Sequence, residues 1–176
     1  MAIWEKTNNS LICQGDRLNS IGVPLIHHSF PQVDNDGSVP VDVQPMDVII
    51  LTQSCELENS KASLVVVAGI YTIEDFEELN ASFQSKGKWE SVAKVRFDGL
   101  HLLHGHGQPT NGRECLVVDF RQIVSLPIEY VRSFVQNCGE RWRLGSPYLE
   151  NMSQAFGRYF MRVALPIDLP RDFVKR

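Results

Sequence analysis

The segment Thr52-Gln53-Ser54-Cys55-Glu56-Leu57-Glu58 sets a thiol among polar groups directly after an apolar run. Polar side chains just beyond a buried strand are where folds commonly expose functional atoms. With a histidine as base, Cys55 has the chemistry of a thiol nucleophile. Against this, the carboxylates of Glu56 and Glu58 disfavour a thiolate, and cysteine outside disulfides is among the most commonly buried residue types. The residues therefore favour packing over catalysis for Cys55, with Gln53, Ser54, Cys55 and Glu56 as a binding patch at the strand end.

His101, His104 and His106 form the pattern HxxHxH, a spacing at which three imidazoles can approach one zinc ion and leave a coordination position open. Solvated polar residues beside a glycine-rich loop give the same pattern. Only Asp98 among carboxylates lies close by, so the expectation is no metal. His27 and His28, adjacent in an extended segment, point to opposite faces. Arg141, Arg143, Arg158 and Arg162, interleaved with Trp142 and Tyr148, resemble the phosphate contacts and base stacking of single-strand RNA binding. The competing assignment is a solvated stripe at Arg158 and Arg162 with Trp142 in the core. Glu140 and Glu150 offset part of that charge.

Composition narrows the field. The 176 residues carry a net charge of -4, which argues against a dedicated nucleic-acid surface. Apolar residues at 43% and charged residues at 22% describe a globular chain, read as a single domain over 1–176. No run approaches the roughly 20 apolar residues that cross a bilayer, and no secretory leader is visible. Cysteines 13, 55, 115 and 138 form no CxxC pair. A cytoplasmic chain with reduced thiols and no membrane contact is expected. GxGxxG, P-loop, HExxH, GxSxG and EF-hand patterns are all absent, so no cofactor is expected.

The elements that must position these residues follow from periodicity. Residues 1 to about 46 are punctuated by Pro24, Pro31, Pro40 and Pro45 and read as short strands and loops. Asp47–Thr52 and Ser63–Ile73 are β-branched runs that suit buried strands paired as a hairpin. Phe76, Leu79 and Phe83 recur at helical spacing, which predicts a helix over 74–85, followed by a second up to 95. His104 to Gly112 reads as an exposed loop and Glu114–Leu126 as strand. Helices are predicted at 127–136, opening on Pro127 at its first position, and at 147–163, with Ser146 as N-cap and Pro147 next. Early strands without intervening helices favour an α/β chain of the α+β type. Its core would be a small curled, mainly antiparallel sheet or barrel with three to four helices packed outside.

Two stretches, Asp47–Glu58 (DVIILTQSCELE) and Arg143–Pro166, resemble a group of small bacterial proteins that share a TQSC(D/E)L strand end. DVIIL followed by KASLVVVA resembles the opening strand pair of the PemK/MazF toxin barrel, with Lys61-Ala62-Ser63 where that family carries Arg-Pro. That resemblance implies an SH3-like barrel. Together with the absence of catalytic motifs, it implies a non-enzymatic binding or regulatory module. Such a module would engage another protein in a bacterial conflict, antiviral defence or toxin–antitoxin system. The alternatives are a PemK/MazF-like RNase or Cys55-dependent hydrolase, and an RNA-binding protein.

Overall fold

The computed structural model describes residues 2–25, 41–58, 62–85, 87–95, 97–106 and 114–161. They form β1 (Trp4–Thr7), β2 (Asp16–Leu25), β3 (Asp42–Ile50), α1 (Ser54–Glu58), β4 (Leu64–Thr72) and α2 (Ile73–Leu79). A 3-10 turn (Ala81–Gln84), α3 (Lys88–Ala93), β5 (Leu100–His104), β6 (Cys115–Pro127), α4 (Ile128–Cys138), β7 (Arg141–Leu144) and α5 (Tyr148–Phe160) complete the chain. The strands make one antiparallel sheet in the order β1-β7-β2-β3-β4-β6-β5, open at both edges and not closed into a barrel. This is the α+β, sheet-dominated architecture that the residue pattern predicts.

Alternation along β4 sends Val65 and Val67 to one face and Ala68 and Ile70 to the other. The first pair joins Leu18, Val48, Ile50, Val131 and Val135 in a core capped by α4. The second joins Ile49, Val118, Phe120 and Met152 beneath α5. A third cluster, Ile73, Phe76, Phe83 and Val92, packs α2, the 3-10 turn and α3 onto Leu100 and Val117.

Several boundaries differ from expectation for local reasons. Residues before 46 include the ten-residue strand β2. The predicted helix over 74–85 stops at Leu79: Asn80, at φ -141°, leaves the helix and its side chain accepts the Ser82 N–H, starting the 3-10 turn. Thr72 caps α2 by accepting the Asp75 N–H. Pro127 and Pro147 are the cap residues of α4 and α5, not their first helical positions, and Ser146 lies outside α5. Val163 and the His27–His28 pair lie outside the described residues.

Two interruptions cross the sheet at one level. Between Leu18↔Val48 and Ile21↔Met46, β2 carries Asn19 and Ser20 against Asp47 alone, a bulge with Ser20 at φ 53°. Between Ala68↔Ile123 and Gly69↔Asp119, β6 carries Phe120, Arg121 and Gln122 against nothing. At the same level the β3–β4 ladder ends: its pairs run Val48↔Gly69, Ile49↔Ala68 and Ile50↔Val67 and go no further. Residues 42–47 of β3 stay with β2, residues 69–72 of β4 stay with β6, and the sheet forks.

Candidate functional site

The TQSCELE segment is largely a fastener. Thr52 Oγ1 accepts the Val66 N–H at 2.7 Å, and Ser54 Oγ accepts the Gln14 N–H at 3.1 Å. The Gln14 side-chain amide donates to the Leu51 carbonyl at 2.9 Å and to Ser153 Oγ at 3.2 Å, bolting the strand end to α5. Leu57 is buried. Cys55, expected to pack, is instead exposed with Gln53 and Glu56, and its thiol lies 3.7 Å from Gln53 Oε1. The reason is the α1 turn, which rotates Leu57 inward and Cys55 outward. All four cysteines are thiols outside disulfides.

The three histidines do not converge. His101 and His104 stand three apart on β5, which places them on opposite faces of the strand. His101 stacks on Phe120 at 6.2 Å between ring centroids, while His104 is exposed. His106 stacks on Trp142 at 4.5 Å with 8° between the rings and meets the edge of Trp4 at 5.1 Å. Among the described residues no cluster of three His, Cys, Asp or Glu side chains is placed to hold a metal. Burial, helped by the charge of Arg158, pushes the His101 pKa down to about 4. Partial burial and the charge of Arg17 do the same for His106.

The arginines divide instead of forming one basic surface. Asp16, fully buried, receives Arg141 Nε at 3.0 Å, Arg143 Nε at 2.5 Å and Arg143 Nη2 at 3.0 Å, and accepts the Cys13 N–H. Arg141, only 5% exposed, also donates from Nη1 to the Asn9 carbonyl and from Nη2 to the Leu11 carbonyl, both at 2.6 Å. Hydrogen bonding to Asp16 raises the Arg143 pKa further. The buried carboxylate thus draws Arg141 and Arg143 inward. Trp142, expected in the core, is only half-buried, with Lys6 Nζ 5.2 Å above its ring. Lys6 also pairs with Glu140. Arg158 is exposed and opens onto a separate cleft, and Arg162 lies outside the described residues.

What the sequence did not mark is the fork. A groove of about 1110 Å³ opens between the parted strands, bounded by Val23–Leu25, Gln44–Asp47, Ile70, Tyr71, α2 and Gln122–Ser125. Its apolar rim is exposed: Val41 at 51% and Leu79 at 67%. Its charged lining is acidic. Asp75 and Glu78 project from α2, a helix with no basic residue in its last turn, while Asp47 is held by Arg17 at 2.7 Å. Tyr71 lines the wall with its hydroxyl bonded to Gln122 Oε1, and burial together with the Asp119 charge pushes its pKa up to about 12. Gly69 makes this possible, because a Cβ there would stand 2.7 Å from the Tyr71 hydroxyl. Asp119 itself is paired with a bidentate Arg121 at 2.8 and 2.6 Å.

The groove's two strand edges matter chemically. Among the described residues nothing pairs with β3 over 42–47 on the β4 side, nor with β4 over 70–72 on the β3 side. Pro45 fits such an edge, because it has no N–H to give a ladder. An extended chain entering here would find backbone partners, apolar contacts and negative charge together. Comparison of the chain with protein-family models, with curated proteins and with solved structures gave no match.

Proposed function

We propose that the protein is a non-enzymatic binding module that captures an extended segment of a partner protein in the fork between β3 and β4. The observation that carries this reading is the fork itself: open strand edges and exposed apolar residues at one place in an otherwise well-packed sheet. Backbone pairing supplies affinity in strand addition and flanking side-chain pockets supply selectivity. Asp75 and Glu78 favour a segment that carries lysine or arginine beside apolar residues. The setting in a bacterial conflict, defence or toxin–antitoxin system rests on the sequence resemblance and is proposed on that footing, as is a cytoplasmic location. No helix among the described residues is long and apolar enough to cross a membrane.

Selection from a random peptide library on the immobilised protein tests the reading. Enriched peptides should be apolar and basic, and should fail to bind a Val41→Asp, Leu79→Lys double variant that unfolds like the parent. Enrichment that survives this variant, or no enrichment at all, overturns the assignment.

A further inference from the structure

A second cleft, away from the fork, has a different chemistry. It measures about 590 Å³ and lies between the α3–β5 connection and α5. Half-buried Phe97 supplies an apolar wall, Phe120 lies buried at the floor, and His101, Asn151, Arg158 and Tyr159 line the cleft with polar atoms. The volume falls in the range of small-molecule sites, and apolar walls with a few convergent polar groups are their usual composition.

The polar groups are poorly employed. Arg158 makes one hydrogen bond, from Nε to the Gln154 carbonyl at 3.4 Å, which leaves the two terminal nitrogens of its guanidinium without a protein partner among the described residues. The His101 ring is engaged by stacking on Phe120 rather than by hydrogen bonds among those residues. Arg158, the Asn151 amide, the Tyr159 hydroxyl and one nitrogen of a neutral imidazole are all donors. Several donors with one cation suit an oxyanion, and a guanidinium matches phosphate in particular. Asp98 is the carboxylate of the lining, on the turn opposite Arg158.

The backbone around the cleft is also unusual. Val95, a β-branched residue lining it, sits at φ 54°, a left-handed conformation that such residues avoid. Gly99 sits at φ 84°, where a Cβ would approach Arg121 Cγ at 2.9 Å and Tyr159 Cε2 at 3.0 Å. Strain of this kind persists where the surrounding structure fixes it and tends to collect at ligand sites. Gly99 lets Tyr159 and the 97–99 turn approach closely enough to close the cleft's end.

We infer that this cleft binds a small organic phosphate with a planar ring, of the nucleoside monophosphate class. The phosphate lies against Arg158 and Asn151, and the ring lies along Phe97 beside His101. This site is independent of the fork. A phosphate beside Arg158 also removes the nearest positive charge felt by His101, so the imidazole pKa should rise from about 4 when the site fills.

The test is a titration of the protein, followed by NMR, with AMP, with UMP and with inorganic phosphate. Saturable binding of at least one nucleotide, with shifts at His101 and Tyr159, a raised His101 pKa and much weaker binding of phosphate alone, is the expected result. Arg158→Gln, a change at an exposed residue, should weaken the nucleotide roughly tenfold or more, as loss of a charge-assisted hydrogen bond requires. Equal binding of inorganic phosphate would overturn the ring's part. Undiminished binding by Arg158→Gln, or no saturable binding of either nucleotide, would overturn the site.

Discussion

The two ends of β3 are built on opposite terms. At Val48–Ile50 the strand lies between β2 and β4, and its neighbourhood holds a fully buried carboxylate with every oxygen engaged by Arg141, Arg143 or the Cys13 N–H. At 42–47 the same strand has β2 on one side only, and apolar Val41 and Val43 face outward. Polar groups are buried where the sheet is continuous, and apolar groups are exposed where it parts. The difference separates residues that hold the fold from residues available to a partner. Charge alone is a poor guide: two of the four arginines that looked like a ligand surface are internal struts.

The comparison is broken most sharply at Asp16. Replacing it with Ala leaves two partly or wholly buried guanidiniums without their counter-charge, and removing one partner of a buried pair costs about 3–5 kcal/mol. Denaturant unfolding of Asp16→Ala should show that loss. A change below about 1 kcal/mol would mean that Arg141 and Arg143 find solvent, and that the continuous end is not fastened by charge.

Acid should act next. The folded pKa of His101 lies near 4 against 6.5 for the free side chain, so the unfolded chain takes up the proton first. The stabilisation is present above pH 6.5 and is lost as pH falls toward 4, amounting to about 3 kcal/mol for His101. His106, more exposed, contributes less in the same direction. Urea midpoints measured across this range should fall with pH, and His101→Gln should flatten the slope.

At the fork the stability effects are smallest and the binding effects largest. Val41→Asp and Leu79→Lys alter exposed side chains, so each should move stability by no more than about 0.5 kcal/mol while abolishing capture of the segment. Cys55→Ala should likewise leave stability within about 0.5 kcal/mol, because the thiol is exposed on α1. A large drop would return Cys55 to the core role that its residue type suggested.

The sequence made the periodic elements plain and hid the irregular ones. β4 was legible because its β-branched residues run almost unbroken, as burial on both faces allows, and α5 because its apolar residues repeat at the period of 3.6 that burial on one face imposes. The fork was not, because it depends on unpaired residues in two strands far apart in sequence coming into line across the sheet. The prolines at 24 and 45 suggested short strands and loops where the longer β2 and β3 run. For the sites, residue type misled in both directions. Arg141 went inside because Asp16, remote in sequence, required it, and Cys55 went outside because one turn of α1 favours Leu57 as the buried side chain. His101 and Arg158, singled out for metal and RNA chemistry respectively, meet in one cleft that neither pattern foretold.

Amide hydrogen exchange on the protein with a selected apolar, basic peptide tests the central claim most directly. Strand addition in the fork should protect amides of Val43 and Asp47 on β3 and of Ile70 and Thr72 on β4, whose N–H groups alternate toward the open side, while Gln53–Glu58 remain unchanged. Protection confined to Gln53–Glu58, or spread over α5 with the fork untouched, would contradict the account and move the binding surface elsewhere.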